Sequence, residues 1–126
     1  MTSKSIYHLH HVTKNEDLKK IHIMKVFKKL RKNLDNEKKI IVLTRNNLTA
    51  DELSFRLNLE GIISSSIHNF KSDIENRTLT ASFNQGNIEV LVTNKLDILL
   101  TEARVLHIIN FDMLINDIKF YEYFFK

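Results

Sequence analysis

The chain has no cysteine, no proline and only two glycines in 126 residues. Without cysteine there is no disulfide framework, no thiolate nucleophile and no cysteine-based zinc site. A reducing interior, cytoplasm or nucleus, is the expected setting. With glycine so scarce, and no G-x-x-x-x-G-K-[ST] pattern anywhere, the chain lacks a glycine-rich loop to cradle a triphosphate. Long apolar runs are also missing. None approaches the roughly 20 residues that span a bilayer, so no membrane partner is expected. Met1-Thr2-Ser3-Lys4 leads straight into a strand-like stretch rather than an apolar leader, so no secretory signal is expected either.

What is present is a globular composition, with 43% hydrophobic residues, matching one domain over residues 1–126. The net charge is +4 and the isoelectric point about 9.3. Much of the excess lies between Lys14 and Lys39, which favours an acidic partner such as nucleic acid.

Hydrophobic periodicity sets out the elements. Ile6 to Val12 alternates as an exposed edge strand. Asn15 is suited to cap a basic helix running to about Asn33, on which Leu18, Ile21, Met24, Phe27, Leu30 and Leu34 recur at helical spacing. Lys39 to Thr44 is a short continuous apolar run, the pattern of a strand buried on both faces. Thr49-Ala-Asp-Glu52 forms a capping box that predicts a helix carrying Leu53 and Leu57, closed by Gly61. Ile62 to His68 is the next strand. Ser72-Asp-Ile-Glu75 opens another helix, with Leu79 and Phe83, closed by Gly86. Two further strands are expected at Ile88 to Thr93 and Val105 to Asn110, and an aromatic helical segment at Asp117 to Phe125.

Strands alternating with helices predict an α/β domain with a mainly parallel sheet covered on both faces. Such sheets bind ligands beyond the carboxyl ends of their strands. That directs attention to Thr44–Asn47, His68–Lys71, Thr93–Leu99 and Asn110–Met113.

Five of these segments, in order, resemble the C-terminal lobe of DEAD-box RNA helicases. KIIVLTRNNLTADEL (Lys39 to Leu53) looks like the motif IV strand and its helix. Ser66-Ile-His68, with the helix from Ser72 to Phe83, is similar to the "SIHG" strand and its helix. NIEVLVTN (Asn87 to Asn94) resembles the "VLVATD" start of motif V, and HIINFD (His107 to Asp112) the family's "HVINYD". Asp117-Ile118 with Tyr121 resembles the approach to motif VI. The likeness spans residues 5–126 and implies a three-layer RecA-like fold of the P-loop NTPase type.

The departures are equally specific. Motif V continues in the family with Ala-Arg-Gly-x-Asp, where this chain has Asp97, Ile98, Leu99 and Thr101. Tyr123 and Phe124 stand in place of the His-Arg of motif VI. The family's Gln-x-x-Arg pair falls on Asp73 and Asn76, and its "HGD" glycine and aspartate on Asn69 and Phe70. An arginine finger contributes about 10³–10⁵ to phosphoryl-transfer rate, and neither Ile98 nor Phe124 carries the needed forked cation. The resemblance therefore implies a lobe without catalytic residues, inactive alone, for which ATP and Mg would matter only beside a separate N-terminal lobe.

Three positions carry the family's RNA-facing role across. Thr93 matches the motif V threonine, Asn46 replaces a motif IV threonine, and Asn69 stands at the HGD glycine. All three are also ordinary turn residues. The expected partners are single-stranded RNA, a protein, or an N-terminal helicase lobe. The alternative reading is half of a functional ATP-dependent helicase completed by such a lobe. His8, His10 and His11 alternate across a strand without a clustered carboxylate, so an exposed edge is the better account than a metal site. The lysine-rich helix is either a phosphate-binding face or a solvated one. Asp51-Glu52-Leu53-Ser54 echoes "DEAD" but is read as helix-start chemistry only.

Overall fold

The computed structural model describes residues 5–8, 15–33, 40–95 and 107–113. Its elements are β1 (Ser5–His8), α1 (Glu16–Asn33), β2 (Ile40–Leu43), α2 (Asn47–Leu59), β3 (Ser64–Ile67), α3 (Asp73–Asn84), β4 (Val90–Thr93) and β5 (His107–Asn110). The five strands form one sheet in the order β1-β5-β2-β4-β3, and every pairing is parallel. This is the predicted α/β architecture, with β1 at the expected edge. β3 and β4 are shorter than their expected runs because Ile62, Ile63, His68, Ile88 and Glu89 lie outside the strands. The aromatic segment 117–125 and residues 97–101 lie outside the described residues.

The crossovers explain the layers. The links β1–α1–β2 and β2–α2–β3 both advance toward the β3 edge, whereas β3–α3–β4 steps back. Right-handed connections therefore put α1 and α2 on one face and α3 on the other. Ile23 and Phe27 of α1 and Ala50, Leu53 and Leu57 of α2 pack with Ile40, Val42, Val90, Val92 and Ile109 in one cluster. The alternate strand residues Ile41, Leu43, Ile67, Leu91 and Ile108 are fully buried too, and Phe83 of α3 stands outside that cluster. Apolar burial on both faces is what the continuous strand runs required.

Two helix starts are as the sequence suggests. Asn15 Oδ1 accepts from the N–H groups of Asp17 and Leu18, and Ser72 Oγ accepts from Glu75 N at 3.1 Å. The start of α2 corrects the sequence reading. Its N-cap is Asn46, whose Oδ1 accepts from Thr49 N at 2.9 Å, so Thr49 lies inside the first turn. Asn46 and Thr49 are both capable caps three residues apart. The earlier one comes directly after β2, and starting there adds most of a turn of helix.

Both ends marked by glycine are Schellman closures. Gly61 N donates to Asn58 O and Ile62 N to Leu57 O, while Gly86 N donates to Phe83 O and Asn87 N to Ser82 O. Gly61 and Gly86 have φ of +81° and +87°, the left-handed region that favours glycine.

A second correction concerns α1. Its buried stripe is Lys19, Ile23 and Phe27, whereas Leu18 and Ile21 are about half exposed. The reason lies in the sheet: the Lys19 Nζ sits 5.5 Å from the Phe111 ring centroid, so a lysine at the start of the helix takes the inward place. Among the described residues no helix is long and apolar enough to cross a membrane.

Candidate nucleic-acid interface

Because all strands run the same way in matched register, their carboxyl ends form one rim. Leu43 pairs with both Thr93 and Asn110, Thr93 with Ile67, and Asn110 with His8. Segments far apart in sequence thus present their strand-end loops side by side.

The rim is stitched by hydrogen bonds. Thr44 N donates to Thr93 O and Phe111 N to Leu43 O, continuing the ladder one residue past the strands. Arg45 N donates to Asp112 Oδ1 at 2.6 Å, linking the tips of β2 and β5. Asn94 Nδ2 donates to Asn47 Oδ1 at 2.7 Å, linking the tips of β4 and β2. Asn110 and Met113 close their own turn through two bonds of 2.8 Å each.

The outer corner, after β3, is fixed by Asp51 of α2. Its Oδ1 accepts from Ser66 Oγ at 2.5 Å and lies 2.8 Å from His68 Nε2. A ring protonated on Nε2 donates there and leaves Nδ1 to accept from Phe70 N, 3.3 Å away. Partial burial acts to raise the Asp51 pKa, but the hydrogen bonds from Ser66 and His68 and the positive charge of Lys71 outweigh it. The carboxyl is held below its ordinary value. Lys71 Nζ donates to Ser66 O at 2.6 Å, and Asn76 Nδ2 to His68 O at 3.0 Å. Ser64 is held similarly, its backbone exchanging two bonds with the Asn58 side chain. Asn58 thereby serves the edge strand β3 as a partner strand would.

The three carried-over positions sit on this rim but differ in access. Asn46 is exposed; its side-chain oxygen caps α2, and its amide donors have no protein acceptor among the described residues. Asn69 is exposed in the turn after His68. Thr93 is fully buried, and its Oγ1 accepts from Lys95 N at 3.0 Å, shaping the turn after β4. The structure thus brings the three together in one row while leaving only the two asparagines open to solvent.

Sequence reasoning missed the residues that hold the row. Asp51 does more than begin a helix: it reaches across to β3. Arg45, exposed, and Lys95, half-buried, also fall on the rim, and neither is paired with a carboxylate among the described residues. Their positions two residues past β2 and β4 were the available signal. Asp51–His68 and Arg45–Asp112 had none, being 17 and 67 residues apart. The lysines of α1 lie elsewhere. The contact of Lys19 with Phe111 places the start of α1 at the rim, and the helix runs from there toward the opposite end of the sheet. Among the described residues no group of three or more histidines and carboxylates could hold a metal ion.

No protein-family profile and no curated protein matches this chain. Solved structures do. The C-terminal domain of the DEAD-box protein Dbp5 is similar at a TM-score of 0.67 and 22% identity, over 98% of this chain and 67% of that one. S. cerevisiae Dbp5 bound to RNA and ADP BeF3 is similar at 0.65 and 20%, over 90% of this chain and 27% of that one. The RNA helicase Prp28 from Chaetomium thermophilum, bound to ADP, is similar at 0.67 and 16%, over 98% of this chain and 28% of that one. The chain therefore has the fold of the C-terminal RecA-like lobe of DEAD-box helicases. It spans about two thirds of the isolated Dbp5 domain and under a third of the two longer chains.

Proposed function

We propose that the chain is a DEAD-box-related helicase lobe that hydrolyses no ATP on its own and binds the backbone of single-stranded RNA along its strand-tip rim. The observation that carries this reading is the rim itself. The loops that resemble motif IV, the "SIHG" segment, motif V and "HVINYD" meet on one edge of a parallel sheet, with Asn46 and Asn69 exposed there and Arg45 and Lys95 beside them. Asn46 and Asn69 donate to phosphate oxygens, Arg45 and Lys95 neutralise them, and Thr93 sets the turn that presents Lys95. The likeness to part of Dbp5, which was solved bound to RNA, supports the choice of ligand.

Residue identities argue against chemistry by the chain alone. The family's arginine positions are occupied here by Ile98 and Phe124, and the sequence has no glycine-rich cradle. ATP and Mg would engage only in a composite site with an N-terminal lobe. The test is single-stranded RNA binding across salt, then ATP hydrolysis with and without an added DEAD-box N-terminal lobe. Salt-sensitive binding without turnover is expected. RNA-stimulated turnover in the mixture would replace this reading with that of a half-helicase.

A second reading, protein binding, has its own observation. A groove of about 590 Å³ lies between α1 and α2, lined by Met24, Phe55 and Leu59 among others, with Phe55 and Leu59 well exposed. One neighbour is SrmB bound to the regulator RraA, so lobes of this fold do take protein partners. Absence of salt-sensitive RNA binding would make this the remaining role.

A further inference from the structure

We propose that Phe70 is a stacking platform for one base of the single-stranded RNA, at the end of the rim opposite its cationic corner. This rests on the RNA reading above. Phe70 is 86% exposed, the most open of the exposed large apolar side chains described. A single exposed phenylalanine is unremarkable in itself. This one differs in being held. Its backbone N–H is bonded to His68 Nδ1, and the imidazole packs edge-on against its ring, with centroids 6.1 Å apart and planes at 84°. His68 is itself buried and fixed by Asp51, and Lys71 N closes the turn on His68 O. The ring is thus steadied by its turn and by the imidazole while most of its surface stays open to solvent, which leaves room for a base to lie on it.

Charge divides the rim into two corners. Phe70 comes after β3, Lys95 after the adjacent β4 and Arg45 after β2 beyond it. At a strand spacing of about 4.8 Å this row covers about 10 Å, a length bridged by two or three nucleotides. Arg45 and Lys95 lack carboxylate partners among the described residues, while Asp112 is engaged by Arg45 N. At the Phe70 end the neighbours are Asp51, occupied by Ser66 and His68, Lys71, whose ammonium donates to Ser66 O beside Asp51, and the exposed Asp73. A phosphate is disfavoured beside Asp73, but an uncharged base is not. Phosphates therefore lie toward Lys95 and Arg45, and the base they carry turns toward Phe70.

The experiment compares a short oligoadenylate with an abasic oligonucleotide carrying the same number of phosphates. The chain has no tryptophan, so Phe70→Trp supplies a single fluorophore at the platform. Its emission is expected to be quenched by oligoadenylate and unchanged by the abasic strand. Phe70→Leu is expected to weaken oligoadenylate binding by about 5- to 100-fold and to leave abasic binding unaltered. If Phe70→Leu binds both strands as the parent does, while Arg45→Ala and Lys95→Ala still weaken both, stacking is refuted and the rim reading stands. If the parent chain binds neither strand, the rim reading fails and the platform with it.

Discussion

Asp51, in the second turn of α2, and His68, just past β3, meet at 2.8 Å across a gap of 17 residues in sequence. With Ser66 on the same carboxylate oxygen, this contact fastens the helix on one face to the outer corner of the rim. The corner carries Asn69 and Phe70, so the clasp fixes the position of groups that the Asp51 carboxylate does not itself touch.

Asp51→Ala should lower the unfolding free energy by about 1–3 kcal/mol, because it leaves the buried Ser66 hydroxyl and His68 ring without their acceptor. Asp51→Asn, which keeps a carbonyl oxygen in place, should cost less. Urea unfolding of the three proteins at neutral pH measures the difference.

Two groups make the stability fall as pH falls, each in its own window. Burial lowers the His107 pKa, so the unfolded chain takes up a proton first as pH falls through 6.5, and stability should decline from there until the folded-state value is passed. His107→Gln should remove that slope. The Asp51 pKa is also lowered, but for a carboxylate this means a contribution complete above the ordinary value of 3.8 and lost as pH falls through the lower folded value. The gap between the parent and Asp51→Ala should therefore hold constant at neutral pH and close only in strong acid.

Lys19→Met should destabilise the chain by about 0.5–2 kcal/mol, since it keeps the aliphatic stem and removes the charge over the Phe111 ring. Lys19→Ala should cost more, by loss of the stem as well. Thermal or urea melts of the two variants separate charge from packing.

Gly86→Ala should cost about 1–2 kcal/mol, and Gly86→Asn less. A methyl group added at Gly86 meets nothing within 4 Å, so the penalty comes from backbone conformation alone. A loss much larger than this, in the same melts, would show that the glycine serves packing instead.

RNA binding should distinguish the rim from the basic helix. Arg45→Ala and Lys95→Ala should each flatten the logarithmic salt dependence of affinity by about 0.7, the value for one phosphate contact on a single strand. Lys28→Ala and Lys29→Ala, on the exposed side of α1 beyond its start, should leave it nearly unchanged. The reverse result would move the interface to α1.

Local patterning was enough to specify the architecture of this protein. The apolar stretches Ile40–Leu43 and Val90–Val92, with Ile108 and Ile109, carry the pattern of strands buried on both faces, and the serine and glycine signals at Ser72, Gly61 and Gly86 act within a few residues of themselves. Long-range packing resolved what such signals leave open. The capping box pointed to Thr49 as the start of α2, whereas the chain leaving β2 begins the helix at Asn46. Lys19 became an inward residue only because Phe111, far along the chain, offered a ring to cover. The Asp51 clasp and the Arg45–Asp112 link arise from strand order, since β5 and β4 flank β2 for reasons of chain path that no window of sequence contains. Periodicity records which face is buried; which residues meet beyond the strand ends depends on how distant strands are ordered, and that exists only in the folded sheet.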